Sequence, residues 1–293
     1  MRPFPSRGVI ATASHNVNVL LTRGLPASKI SGFSVATIKK PSAIRSVALP
    51  LAVVAVMVAI WTIIWRSGIF HASAFPSPLA VLRAFGDEVR TGRLFTDLIT
   101  SLFRVTCGFG LAVVTGIPAG LWMGQKEPVR TALLPIVNFF RNLSPLAWIP
   151  FAILWFGVGD ASPIFLIFLS AFFPVVLSTM AAAANVPTIY SRVAKDFGIA
   201  DSEKLLRVTL PAIMPQVVTA LRVTAGVCWL VVVAAEMIAG RDGLGFAVMD
   251  ARNGLRTDIL VVEMIVIGLV GVAIDRVLEQ LTKVLSIRWG YER

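Results

Sequence analysis

The residues able to do chemistry are few, and most of them stand in apolar surroundings. Arg141 and Asp160 are the charges that interrupt the sequence between Thr131 and Tyr190, and Arg222 and Glu236 lie near the two ends of another apolar run. An ionisable side chain at membrane depth is costly and rare, so Arg141 and Glu236 are functional candidates. Arg141 shares its stretch with Asn142, Ser144 and Trp148, a cation followed by polar and aromatic groups. Catalysis finds no such grouping. His15 and His71 are isolated, with no Ser, Cys or Asp arrangement beside them. Cys107 and Cys228 have no Cys or His at ligand spacing, which excludes a zinc pattern and leaves two small core hydrophobes. No Gly-x-x-x-x-Gly-Lys-Ser/Thr occurs, and Gly108-x-Gly110 lies in an apolar run where it cradles no phosphate. No catalytic residue, metal ligand or bound cofactor is expected in this chain.

The elements that hold these residues follow from composition. Of 293 residues, 56% are hydrophobic and 15% charged, and mean hydropathy is +0.81. Water-soluble chains do not carry such a balance, so the reading is an all-α, polytopic membrane protein. Apolar runs of the length that crosses a bilayer as helix, the first two without a charge, are Ser46–Trp65, Val105–Gly124, two within Thr131–Tyr190 joined near Val158–Ser162, Ile213–Gly240 and Ile259–Val277. Six spans are expected, with seven as the alternative.

Net charge is +11. Aromatics do not interleave with the basic residues, so a nucleic-acid partner is not expected, and membrane topology accounts for the excess. Alternate connecting segments hold 16 Lys and Arg on one side and 6 on the other; because basic residues resist translocation, both termini are expected on the cytoplasmic side of the membrane. Arg66, Arg104, Arg141, Arg222 and Arg276 fall at or inside span ends, where they are expected to snorkel. Residues 1–45 contain no Asp or Glu. They read as a disordered basic tail touching anionic lipid, with an organelle transit peptide as the alternative; residues 46–293 form the transmembrane domain. Phe75-Pro-Ser-Pro78 then introduces a short amphipathic helix, Leu79–Val89, along the outer face.

Gly108, Ala112, Gly116, Gly120 and Gly124 recur every four residues and form one nearly side-chain-free stripe, on which another helix of the chain or a second subunit can pack closely. Pro135, Pro145, Pro150, Pro163 and Pro174 interrupt the spans that follow. Such breaks suit a moving pathway, because the freed backbone must face protein or a cavity.

The polar segment of about 185–211 is longer than a simple connection requires. Pro187 suits a helix start, Gly198 a break, and Asp201 or Ser202 a cap on a second short helix leading to Leu210-Pro211. This segment resembles the cytoplasmic loop of binding-protein-dependent ABC importer permeases, Glu-Ala-Ala, three residues, Gly, nine residues, Ile, one residue, Leu-Pro. Ala194 takes the third position, Gly198 the glycine, Val208 the isoleucine and Leu210-Pro211 the ending. Arg192 and Val193 depart from the Glu and first Ala. Phe75-Pro-Ser-Pro78, Ser101-Leu-Phe-Arg-Val, Ser144-Pro-Leu-Ala-Trp-Ile-Pro150, Leu154-Trp-Phe-Gly157 and Ala235-Glu-Met237 extend the resemblance to the nitrate, sulfonate, taurine and bicarbonate branch.

The resemblance implies a type I importer permease fold and a role that is not enzymatic: a pathway for a small anion delivered by a periplasmic or lipid-anchored substrate-binding protein. It implies a second copy of the permease, and a cytoplasmic ABC ATPase that uses ATP and Mg. The coupling residues would be Arg192, Ala194, Lys195, Asp196, Phe197, Gly198, Ile199, Leu210 and Pro211. Phe197 and Ile199 would supply apolar contact, and Arg192, Lys195 and Asp196 charge. An anion needs cationic or polar groups on its path, and Arg141, Asn142, Ser144, Trp148 and Glu236 are the candidates. Two readings stand for Arg141, a pathway ligand or a cation that pairs with an acid or snorkels. Glu236 is an awkward neighbour for an anion and reads equally as a structural partner or gate. Trp155, Trp229 and Phe140 read as pore-lining or packing. Alternatives are an importer of another small organic solute, such as a thiamine-precursor pyrimidine or an aromatic acid, and a secondary transporter working without ATP.

Overall fold

The computed structural model describes residues 43–71, 74–198 and 200–288. Most of the basic tail, and Ile199 of the loop, lie outside the described residues. The chain divides into two units, 1–56 and 57–293; the second holds both candidate sites.

Every regular element among the described residues is helical: α1 (Ala43–Arg66), α2 (Pro78–Thr91), α3 (Arg93–Gln125), α4 (Glu127–Asn142), α5 (Ile149–Phe156), α6 (Ala161–Ala184), α7 (Thr188–Asp196), α8 (Asp201–Lys204), α9 (Leu210–Ala239), α10 (Leu244–Asn253) and α11 (Thr257–Arg288). Five stretches, Ala48–Arg66, Arg93–Gln125, Ala161–Ala184, Arg207–Ala239 and Thr257–Gln280, are long and apolar enough to cross a membrane. The remaining expected span is discontinuous. Pro145 disfavours helical backbone at the residue before it; Leu143 and Ser144 are extended, with ψ of 127° each, and a 3-10 turn, Pro145–Trp148, leads into α5.

The second span is longer than its uncharged run. Its helix begins at Arg93 and takes in Asp97 and Arg104, because those charges are buried in pairs and need no exposed loop. The α2 helix also departs from its expected face. Ser77 caps it, its Oγ accepting from the Ala80 N–H at 3.0 Å. Val81, Ala84 and Glu88 turn inward, while Leu79, Leu82 and Phe85 stay exposed.

The glycine stripe sets the central packing. A Cβ on Gly108 would stand 2.7 Å from Ile167 Cβ; on Gly116, 3.0 Å from Val175; on Gly120, 2.7 Å from Thr179; on Gly124, 2.6 Å from Ala183. The offset between partners is constant, so α3 and α6 run parallel, backbone against side chain, with Ala112 fully buried between these contacts. The stripe therefore packs within the chain. Trp229 closes the other side: it is buried, and its Nε1 donates to the Ile267 carbonyl at 3.1 Å. Cys228 is fully buried beside Ser170, and Cys107 half-buried.

Candidate functional sites at the two ends of the bundle

α6 and α9 are joined by the 185–209 segment, so their far ends, Asp160 and Gly240–Gly243, share the opposite end of the bundle.

At the loop end, α7 starts one residue after Pro187 and stops at Asp196; Gly198 takes φ of +69°, a left-handed turn that suits glycine. The helix carries an exposed stripe: Ile189, Val193 and Phe197 recur every four residues and are 58%, 44% and 80% exposed. Tyr190 flanks it, and Arg192 and Asp196 are exposed beside it. Ala194 points the other way and is buried. Sequence reasoning found Phe197 but missed Ile189 and Val193, although their i, i+4, i+8 spacing was visible. The Lys195 backbone lies in the helix. Leu210-Pro211 opens α9, with the proline in the first turn where its missing N–H costs nothing.

Between Lys204 and α9 the backbone widens into a π-turn, Leu205–Thr209, with Thr209 buried. Arg207 pairs with Glu203 at 3.1 Å on the exposed side.

At the far end, Glu236 is fully buried and held from three directions. Its Oε2 accepts from Ser101 Oγ at 2.8 Å and the Gly245 N–H at 3.0 Å, and its Oε1 from Arg104 Nη1 at 2.9 Å. Arg104, 1% exposed, also donates from Nε and Nη2 to Asp160 at 2.8 and 2.6 Å, from Nη1 to the Asp242 carbonyl at 2.8 Å, and from Nη2 to the Asp242 carboxylate. Three carboxylates thus share one guanidinium. Arg104 does not snorkel, because all its hydrogen-bonding partners lie within the protein. The glycines of 240–245 make this closeness achievable: a Cβ on Gly243, whose φ is +98°, would fall 2.6 Å from the Glu236 carboxylate. The Leu244 N–H donates to Ser101 Oγ and the Gly243 N–H to Asp97 Oδ1, each at 3.0 Å.

The sequence missed this cluster's other members, Ser101, Arg104, Asp160 and Asp242. The available signal was Gly240-Arg-Asp-Gly-Leu-Gly245, a six-residue segment with three glycines that begins four residues after an intramembrane acid. Glu88, Asp97 and Glu263 are further buried carboxylates. Arg222 makes a forked contact with Asp275 at 3.0 to 3.2 Å, so it too is paired.

Arg141, Asn142 and Ser144 are exposed around the end of α4, and no described carboxylate pairs with Arg141. Trp148 is half-buried among Phe140, Phe151 and Trp155, with ring centroids 6.0 to 6.3 Å apart. Arg141 and Glu236 therefore belong to different environments, one open and one tied inside the fold.

Comparison with known proteins agrees with this architecture. Residues 116–285 match the family described as "Binding-protein-dependent transport system inner membrane component". The taurine transport system permease protein TauC of Escherichia coli is 34% identical over 83% of this chain and 90% of its own length. The nitrate import permease protein NrtB of Synechocystis is 34% identical over 82% and 88%. Among solved structures, an inward-facing conformation of the MetNI methionine ABC transporter matches with a TM-score of 0.59 at 16% identity, over 66% of this chain and 95% of that one, a likeness of fold. The chain belongs to the binding-protein-dependent transport system inner membrane component family. It is a multi-pass permease of an ABC importer, of the nitrate, sulfonate, taurine and bicarbonate group, without catalytic activity of its own.

Proposed function

We propose that this permease forms the pathway for a small anion of the nitrate, bicarbonate, sulfonate or taurine type, delivered by a substrate-binding protein and driven by a separate ATPase. The observation that carries the coupling part is α7. An amphipathic helix that leaves Ile189, Val193 and Phe197 exposed beside Arg192 and Asp196 has the composition of a helix that lies in a partner's groove, apolar anchors with charges at the edge. Gly198 ends it sharply, and the π-turn and Pro211 link it to α9, so a push on α7 is delivered to a long helix of the bundle.

In this reading the loop and both termini face the cytoplasm, ATP and Mg are bound by the partner ATPase, and two copies of the permease assemble. The pathway residues are Arg141, Asn142 and Ser144, whose exposure leaves them free to meet an anion. Glu236 has a structural role, since its charge is held by Arg104 and turned away from a passing anion.

The test is a mild-detergent pull-down of tagged permease with an ATPase assay on the eluate, followed by uptake of labelled nitrate, bicarbonate and taurine. ATP hydrolysis recovered with the wild type and lost in Gly198→Asp, with membrane insertion retained, supports the reading. Flux by the purified chain alone under an ion gradient would replace it with secondary transport.

A further inference from the structure

The cluster at the far end has two unlike halves. Arg104 and Glu236 are dry, at 1% and 0% exposure, whereas the Asp160 and Asp242 side chains are 59% and 53% exposed. The guanidinium's five N–H donors are all engaged, two on Asp160, one on Glu236 and two on Asp242. Separating the buried pair would strand a bare charge inside the protein, so that half is permanent. The aspartate ends of the other contacts stand in water, so as a turn moves away water can enter and take up the N–H groups it leaves, and that half is reversible.

Both exposed aspartates also ride on turns able to move. Asp160 follows Gly157 and Gly159, at φ of +77° and +145°, and Asp242 lies between Gly240 and Gly243. A further bond ties the first turn to the end of α9, the Gly159 N–H donating to the Ala239 carbonyl at 3.1 Å. The helices beneath are less free, because α3 meets α6 through glycines that leave no space for a side chain. Relative movement at this end is therefore concentrated in the two turns, and one guanidinium holds both.

Resting on the transport reading above, we propose that Arg104 is a positioning residue of the transport cycle: anchored on Glu236, it clasps the 157–160 and 240–243 turns through Asp160 and Asp242, and this end opens when the two aspartates let go. Substrate need not touch Arg104; the residue decides when the turns part.

The test uses the permease–ATPase complex in lipid nanodiscs, with Cys107 and Cys228 replaced by Ser and Ala, and with Ala239→Cys, at a fully buried position, as reporter for a membrane-impermeant maleimide. In the otherwise wild-type complex, labelling is slow without nucleotide and speeds up on trapping with ATP and vanadate. In Asp160→Asn/Asp242→Asn it is about tenfold faster without nucleotide, the scale of losing two half-exposed ion pairs from a local opening equilibrium, and responds little to trapping. Arg104→Lys, which keeps a cation for Glu236 but loses the fork, behaves like the double variant. Should Arg104→Lys fail to fold, the Asn variants still decide, since their changes are at half-exposed sites.

Equal nucleotide-free rates in the wild-type and Asn complexes overturn the clasp. So does a wild-type rate that vanadate trapping leaves unchanged in a complex that hydrolyses ATP. A wild-type complex that hydrolyses no ATP counts instead against the importer reading, and the nucleotide-free comparison still judges the clasp.

Discussion

At the scale of single residues, charge in this protein is governed by partners more than by position. Arg104 stands near the edge of an apolar run and, by spacing, belongs with the snorkelling cations; its actual surroundings are three carboxylates and a carbonyl. Arg104→Gln strands Glu236 inside the fold and is expected to cost about 3–5 kcal/mol, read as a fall in the thermal midpoint of the detergent-solubilised protein. Asp250 offers a milder case. Its hydrogen bond to Arg93 at 2.7 Å holds its carboxyl below the usual range, with desolvation opposing and the charges of Arg93 and Arg256 assisting. A carboxylate depressed in the folded state stabilises the fold above its unfolded value, about 3.9, and loses that contribution as pH falls through its folded value. The pair is half-exposed and screened by solvent, so its share is no more than about 1 kcal/mol. The midpoint of Asp250→Asn is expected to fall less steeply than that of the wild type between pH 5 and pH 3, values that bracket the usual carboxylate range.

At the scale of elements, the α3 stripe and α7 make opposite demands. Gly120 faces the Val176 carbonyl, from which an added Cβ would be 2.6 Å, and backbone there cannot yield as a side-chain tip would. Gly120→Val is expected to destabilise by about 1–3 kcal/mol through overpacking. Gly110→Ala, on the same helix with nothing within 4 Å, is expected to be neutral or slightly stabilising; fluorescence-detected size exclusion after a heating series separates the two. On α7, Val193→Asp and Phe197→Asp change exposed positions. Their thermal midpoints should match the wild type, while co-purified ATPase activity falls at least about tenfold, as expected when an anchor leaves the centre of an interface. The discontinuity between α4 and α5 was foreshadowed by Pro145 and Pro150. Its form was not, because proline forbids a continuous helix without saying whether the chain bends, tightens or extends.

At the scale of the whole molecule, the charge asymmetry of the connecting segments predicts that Asn185 and Asn253, exposed near the two ends of the bundle, are on opposite sides of the membrane. In intact cells a cysteine at 253 should react with an impermeant reagent and one at 185 only after lysis. The reverse pattern would invert the proposed orientation and remove the loop from any cytoplasmic ATPase.

The sequence alone determined the helical class, the approximate places of the long spans, the stripe that permits close packing and the 185–211 segment with its glycine break. These depend on local quantities: the length of an apolar run, a repeat of four, a residue that tolerates positive φ. Only the tertiary structure decided which surfaces meet. It put the stripe against α6, turned Ile189 and Val193 outward with Phe197, and drew Arg104, Asp160, Glu236 and Asp242, far apart along the chain, into one cluster. The physical reason is that a buried charge is stable only beside partners that satisfy it, and those partners come from turns and helices brought together by packing the rest of the chain.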